Sequence, residues 1–264
     1  MKAARDPDDG YAGPRSPARV MAVVEALAEH PEGLSLTRLS IVVGMPKTSL
    51  LSMLRVLEVS GHVRAEHNLY TLGPLAYRIG VMIAASFPLV RALRPLMADY
   101  ARRAGETILL AALDRTRDES TYVEIAQPDV PVRFFASVGA RRALYCTASG
   151  RAMLAFQEPA YIADYIARID PVAMTPTTVT DKAAIAAQAR EDRARGYAAS
   201  IGGYDLSSGG VAAPIFDREG KVGHAVVIAA PVERMRERQA ELAALALEMS
   251  AAFSKVLGYS GTPT

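Results

Sequence analysis

The sequence predicts an α+β chain in two parts: a winged helix-turn-helix at the N-terminus, then a mixed domain of strands and helices. Three observations carry this. Residues 16–74 hold three helix-period segments separated by Gly/Pro turns and closed by one short hairpin signal. Residues 75–103 read as two more helices, the first of them almost wholly apolar. Beyond Gly105 short strand-like runs alternate with Ala-rich helical ones, without internal repeats. A length of 264 residues suits two domains, and a chain half hydrophobic and 22% charged has enough apolar material for two cores.

Residues 1–15 are rich in Pro, Gly and Asp and are expected to form a flexible tail. Ser16-Pro17 opens a helix, with Ser16 as N-cap and Pro17 in the first turn. Val20, Val23, Val24 and Leu27 give it one apolar face until His30-Pro31 interrupts. A short helix over residues 36–43 ends at Gly44. A longer one over residues 46–60 ends at Gly61. Helix, short helix, tight turn and longer helix in that order make a helix-turn-helix. The runs 62–64 and 69–72, around a polar tip at residues 65–68, predict a hairpin wing that Gly73-Pro74 terminates. The domains expected are thus 16–74, a linker helix over 75–90 and a second domain over 91–264. The apolar linker helix needs a partner, for which a second copy of the chain is expected.

Strands are predicted over residues 107–113, 121–126, 132–136, 197–201, 211–216 and 222–230. Helices are predicted over 147–156, 159–169, 181–195 and 233–257. No apolar run reaches membrane-spanning length, and the polar start is unlike a secretory signal. A single cysteine, Cys146, allows no intrachain disulfide, and a cytoplasmic location is expected. Scattered His residues and one Cys show no metal-ligand spacing, and neither metal nor cofactor is expected.

The segments PEGLSLTRLSIVVGMPKTSLLSMLRVLEVSGHV, YTLGP, TASGRAMLAF, TPTTVTD, ARGYAAS and VAAPIFDREGKV occur in this order over nearly the whole chain. Together they resemble the IclR family of bacterial transcription regulators. The resemblance implies a winged helix-turn-helix on double-stranded operator DNA, a linker helix and a GAF/PAS-like effector-binding domain. It also implies dimers or dimers of dimers, and a small metabolite, often of a catabolic operon, that alters how the operator is engaged.

On the third helix Leu50, Met53, Leu54 and Leu57 read as core. Thr48, Leu51, Ser52 and Arg55 read as the groove-facing side. Arg55 suits a guanine edge, Leu51 a thymine methyl, and Thr48 and Ser52 bases or phosphates. Lys47 and the free N–H groups of the first turn suit a phosphate, and Ser49 is counted with the DNA-binding residues. Arg64, His67 and Asn68 on the wing suit the DNA backbone or minor groove. The family commonly has His-Arg where this chain has Leu51-Ser52, which implies a different operator. Residues 16–74 carry five basic and five acidic side chains, so a single copy is expected to bind weakly and a dimer on a two-fold operator is required.

In the second domain the resemblance places the effector pocket at Ala148, Ser149, Ser200, Gly210, Val227 and Ala229. Family members that bind small hydrophilic acids carry acidic, Cys and Ser side chains where this chain has Ser200, Gly210, Val227 and Ala229. An aromatic or otherwise larger carboxylate is therefore expected; the alternative is that Val227 and Ala229 are plain strand core and the pocket is small. Arg141 and Arg142 are expected to be solvated charges nearby. Two other classes compete with this reading. A Cys146–His224–Asp205 hydrolase is disfavoured because Cys146 and His224 read as structural, so no enzyme is expected. A sensing module without DNA binding is disfavoured by Lys47, Thr48, Arg55 and Arg64.

Overall fold

The computed structural model describes residues 15–85 and 88–261, and the chain separates into two compact units, residues 1–87 and 88–264. The tail expected over residues 1–15 lies outside the described residues except for Arg15.

In the first unit, α1 (Arg15–Glu29) includes Arg15 and Ser16, two residues ahead of the expected first helical position at Pro17, so Ser16 sits inside the helix rather than capping it. Val23, Ala26 and Leu27, spaced for one helical face, are buried. β1 (Leu34–Ser35) leads into α2 (Leu36–Val42), whose first turn is capped where Ser35 accepts the Arg38 N–H at 3.3 Å. The chain then turns through Gly44, and Met45 folds back into the core. Ser40 closes the turn, its hydroxyl donating to the Met45 carbonyl at 2.5 Å. α3 (Lys47–Val59) buries Leu50, Leu54 and Leu57 against α1 and α2. β2 (Val63–Glu66) and β3 (Leu69–Leu72) form the hairpin, and β1 adds to β3 to give the order β1-β3-β2. At the hairpin tip His67 and Asn68 have φ of 52° and 64°, the two left-handed residues of a type I′ turn.

Gly73 then fixes how the chain leaves the wing. Its N–H donates to the His62 carbonyl at 2.7 Å, and a Cβ there would stand 2.3 Å from the Gly61 carbonyl oxygen. α4 (Pro74–Ala85) follows. Ser86 and Phe87, expected at its end, lie outside the described residues.

The second unit is a six-stranded, wholly antiparallel sheet in the order β6-β5-β4-β9-β8-β7. Its strands are β4 (Thr107–Asp114), β5 (Glu119–Ala126), β6 (Arg141–Ala143), β7 (Ala198–Ile201), β8 (Ser208–Phe216) and β9 (Val222–Pro231). α5 (Pro88–Ala104) and α9 (Val232–Val256) cover one face, where Leu93, Met97 and Phe253 pack on Ile108, Leu110 and Ile228. α6 (Ala148–Ala155) covers the other face, against Leu109, Ala111, Ala212 and Val227. β4 thus sends alternate residues into two cores, which is why its sequence is apolar without alternation. α7 (Pro159–Arg168) and α8 (Lys182–Arg195) pack outside α6.

One expected strand is absent. Residues 132–136 form no strand but part of an irregular connection between β5 and β6. Their β-prone composition serves other contacts. The Phe134 carbonyl accepts the Thr107 hydroxyl at 2.7 Å, and the Val132 carbonyl accepts an N–H of Arg234 at 2.9 Å. Arg234 is itself fixed on the buried carboxylate of Glu106 by two bonds of 2.7 and 2.8 Å. The short strand β6 was not expected, and it proves important for the site.

Candidate functional site

The exposed side of α3 follows from helical geometry. At about 100° per residue, Thr48, Ser52, Arg55 and Val59 fall on one line opposite Leu50, Leu54 and Leu57. All four are exposed, Val59 at 91%. Leu51, expected among the groove-facing residues, lies to the side of this line and is only half-exposed. Ser52 turns its hydroxyl back onto the Thr48 carbonyl at 3.2 Å, so it offers an acceptor more readily than a donor. Among the described residues Arg55 and Lys47 make no ion pair, and both side chains are exposed.

Pro46 occupies the N-cap of α3 and has no side chain to cap it. The first intrahelical bond is Leu50 N–H to Pro46 O at 3.0 Å. The N–H groups of Lys47, Thr48 and Ser49 are therefore left without an intrahelical acceptor, beside the Lys47 ammonium. On the wing, the I′ turn holds His67 and Asn68 at the outermost point. Arg64 is partly neutralised by Glu66, 3.5 Å away on the same face of β2. Among the described residues the charge balance of this unit is thus uneven, because the α3 cations Lys47 and Arg55 make no ion pair and the wing cation Arg64 does.

The second unit contains a cleft of about 140 Å³ where α6 meets the sheet. All six residues assigned to the effector pocket line it: Ala148 and Ser149 from α6, Ser200 from β7, Gly210 from β8, and Val227 and Ala229 from β9. Register explains the convergence, since Ser200 pairs with Gly210 and Gly210 with Ala229 across neighbouring strands. At the closed end, Thr147 caps α6 by accepting the Gly150 N–H at 3.2 Å, and donates to the Ala143 carbonyl at 3.0 Å. The Ser149 hydroxyl accepts from buried Ser120 at 3.0 Å. The N–H groups of Ala148 and Ser149, at the first two positions of α6, lack intrahelical acceptors. Gly150 lets the helix come this close, for a Cβ would lie 2.4 Å from the Leu144 Cα.

The opposite wall was not legible from the sequence. It is built by Tyr122, Phe134, Phe135, Arg142 and Tyr204. Arg142 pairs in register with Ser120 on β5, and register partners share a face of a sheet. Because Ser120 points at Ser149, Arg142 points into the cleft too. Arg141 takes the other face, where Glu119 lies 3.6 Å away. The expectation that Arg142 is a solvated surface charge is therefore corrected. Its guanidinium lies 5.5 Å from the ring centre of Tyr122 and 4.7 Å from that of Tyr204. Burial pushes the Tyr122 phenol up, opposed by the charge of Arg142 and by Ser149. The missing signal was β6: three residues are too few for periodicity to register, yet without it the direction of Arg142 is undetermined.

The Tyr204 loop is held from outside. Thr175 and Thr177 donate to the Gly202 carbonyl at 2.7 and 2.8 Å, and Thr178 donates to the Gly203 carbonyl at 2.7 Å. The TPTT segment is thus a clasp on this turn. Cys146, His224 and Asp205 occupy different environments. Burial pushes the Cys146 thiol up to about 11, which leaves it a poor nucleophile. His224 sits on β9 between Ala112 and Ile215. Asp205 lines the cleft mouth, with its carboxylate taken by the Ser207 N–H and hydroxyl at about 3.0 Å. Among the described residues no group of three or more His, Cys, Asp or Glu is placed to hold a metal, and no single helix is long and apolar enough to cross a membrane.

Two family profiles match in the order of the two units. The IclR helix-turn-helix domain covers residues 16–67, and the bacterial transcriptional regulator IclR C-terminal domain covers residues 82–255. The chain belongs to the IclR family. As an IclR-family regulator it is a DNA-binding transcriptional regulator with a C-terminal effector-binding domain. Rv1719 of Mycobacterium tuberculosis, an HTH-type transcriptional regulator, is 30% identical over 247 residues, covering 91% of each chain. The IclR-type transcriptional regulator of Alicyclobacillus acidocaldarius superposes with a TM-score of 0.83 at 26% identity, over 92% of this chain and 98% of that one. An IclR homolog of Microbacterium hydrocarbonoxydans, solved in complex with 4-hydroxybenzoate, has the same fold, with a TM-score of 0.77 at 21% identity over 92% of this chain and 98% of its own.

Proposed function

We propose that the C-terminal cleft takes a single-ring aromatic carboxylate, and that its occupancy governs how α3 engages an operator, in the setting of a cytoplasmic regulator of a catabolic operon. The observation that carries this reading is the composition and size of the cleft. Gly210, Val227 and Ala229 give an apolar floor without a polar side chain, Phe134 and Phe135 face it, and free N–H groups of α6 stand at one end. A volume of about 140 Å³ is close to the roughly 150 Å³ of a cavity that accepts benzene, so one ring fits and two do not. A two- or three-carbon acid leaves the apolar floor uncovered. The complex of the Microbacterium homolog supports the reading to the extent that the fold it shares with this chain accommodates such a ligand.

Calorimetric titration with 4-hydroxybenzoate, glyoxylate and pyruvate tests this. Binding of the aromatic acid at least tenfold tighter than the small acids is expected. Tight binding of glyoxylate or pyruvate, with no response to aromatic acids, overturns the reading.

On DNA, Thr48, Ser52 and Arg55 are assigned to base edges. Lys47 and Ser49 are assigned to phosphate at the α3 N-terminus, and Arg64, His67 and Asn68 to the backbone beside the wing, with Leu51 at the margin. A balanced charge makes one copy a weak binder, and a two-fold operator read by two copies supplies the missing phosphate contacts. α4 is the surface on which the second copy is placed. Tyr77, Val81 and Met82 on it are 66, 67 and 60% exposed, more apolar surface than a solvated helix carries. Val81→Glu with Met82→Glu is expected to shift the mass by light scattering toward the monomer; an unchanged dimer mass moves the interface elsewhere.

A further inference from the structure

The cleft contains a cation that its apolar floor does not require. Arg142 is half-buried and, among the described residues, makes no ion pair; its single hydrogen bond there is to the Arg141 carbonyl at 2.8 Å. The acidic side chain sharing the cleft, Asp205, is turned to Ser207. A guanidinium removed from water without a carboxylate is costly unless something offsets the lost hydration. Here two tyrosine rings do so, with the guanidinium carbon over Tyr122 at 5.5 Å and over Tyr204 at 4.7 Å from the ring centres. Cation–π contact with the rings does not consume the N–H donors of the guanidinium, and those are the groups that grip a carboxylate in a fork. The arrangement is fixed beforehand: β6 sets the direction of Arg142, and the threonine clasp sets the Tyr204 loop. Tyr122, Arg142, Ala148 and Ser149 line the same cleft, so the guanidinium and the free N–H groups of α6 both serve it.

We infer that Arg142 is the specificity-determining residue of the cleft, selecting an acidic effector over its neutral isostere by an ion pair with the effector's carboxylate while Tyr122 and Tyr204 hold the guanidinium between them. The inference rests on the reading of the cleft as an aromatic-acid site, and it adds which side chain reads the charge. The ring then lies on Gly210, Val227 and Ala229, and the acid group lies between Arg142 and the first turn of α6. Lysine in place of Arg142 keeps the charge but loses both the stacking and the fork, so it is not an equivalent substitution.

The test is calorimetric titration of full-length wild type, Arg142→Gln, Arg142→Lys and Tyr204→Ala, each with 4-hydroxybenzoate and with 4-hydroxybenzamide, whose shape is the same and whose charge is absent. Wild type is expected to prefer the acid by tenfold or more. Arg142→Gln is expected to bind the acid at least tenfold more weakly and the amide within twofold of wild type, which abolishes the preference. Arg142→Lys should keep part of the preference, and Tyr204→Ala should weaken acid binding severalfold without touching the charge. If Arg142→Gln, or Arg142→Lys should the first variant not fold, leaves both the acid preference and the acid affinity unchanged, the inference is overturned while the aromatic reading stands. Equal binding of acid and amide by wild type has the same consequence. If wild type binds neither probe, the aromatic reading fails and takes the inference with it.

Discussion

Arg151 holds the buried carboxylate of Asp192 through two N–H···O bonds of 2.9 Å, and with its third nitrogen donates to the Ala199 carbonyl at 2.9 Å. One side chain thereby joins α6, α8 and β7, and it fixes the helix end that lines the cleft relative to Ser200. Arg195 bonds the same carboxylate from one turn further along α8. The arginine of the TASGRA segment is therefore a strut for the site and does not line it.

Removing that strut leaves Asp192 buried with only part of its compensation. Breaking a buried pair from one side costs about 3 kcal/mol or somewhat more. Arg151→Ala is expected to destabilise the C-terminal unit by about that amount in chemical denaturation, and to weaken effector binding along with it. Stability within about 0.5 kcal/mol of wild type, the range of an ordinary surface substitution, would show that Arg151 contributes little to holding the site together.

Two glycines of the cleft are expected to respond oppositely to alanine. A Cβ on Gly210 would meet the Ala148 Cβ at 3.5 Å and Val227 Cγ1 at 3.6 Å, ordinary contact distances. Gly210→Ala should fold with an unchanged melting temperature, yet fill the floor and weaken an aromatic ligand about tenfold, a loss of roughly 1.4 kcal/mol. Gly150→Ala would press a Cβ to 2.4–2.8 Å from the backbone of Leu144, which cannot move aside as a side chain can. It should lower the melting temperature markedly, whatever ligand is present. Melting curves of the two variants with and without 4-hydroxybenzoate separate the effects.

Burial lowers the His224 pKa, and the charge of Asp217 opposes that only in part. The unfolded chain thus takes up this proton at a higher pH than the folded one. The stability linked to the neutral imidazole is full above the unfolded value of about 6.5 and is lost as the pH falls through the lower folded value. Melting temperature between pH 7 and 5 should therefore fall less steeply in His224→Gln than in wild type. Parallel curves would assign the acid limb to other groups.

The sequence carried the fold further than it carried the site. Helix-period spacing placed Val23, Leu27, Leu50, Leu54 and Leu57 correctly in the first core, because a helix repeats its pattern over many residues. The 132–136 run failed because its β-prone residues have tertiary partners, with Thr107 and Arg234 taking carbonyls that a strand neighbour would have used. The floor of the cleft was reached through the family resemblance, which carried Gly210, Val227 and Ala229 over by position, while Ala148, Ser149 and Ser200 lie within the quoted segments. The wall formed by Tyr122, Arg142 and Tyr204 was not, because it depends on the register of a three-residue strand and on a turn held by Thr175, Thr177 and Thr178. Leu51 is half-exposed because angular position on a helix decides exposure, and it lies between the buried and the open sides.

On the DNA side the assignments separate by what each contact reads. Lys47 is assigned to phosphate, so Lys47→Ala should weaken binding evenly across sequences and reduce the salt dependence by about one counterion. Arg55 stands on the open line of α3 with Thr48 and Ser52, and its loss should act on sequence preference instead.

The most direct test is fluorescence anisotropy of wild type and Arg55→Ala on the DNA upstream of the protein's own gene and on a scrambled duplex of equal length, at one fixed salt concentration. Loss of a bidentate base contact amounts to about 1–3 kcal/mol. The account predicts that Arg55→Ala binds the upstream DNA at least fivefold more weakly while its binding to the scrambled duplex is unchanged. Equal weakening on both duplexes, or none on either, would contradict it and place the reading face of α3 elsewhere.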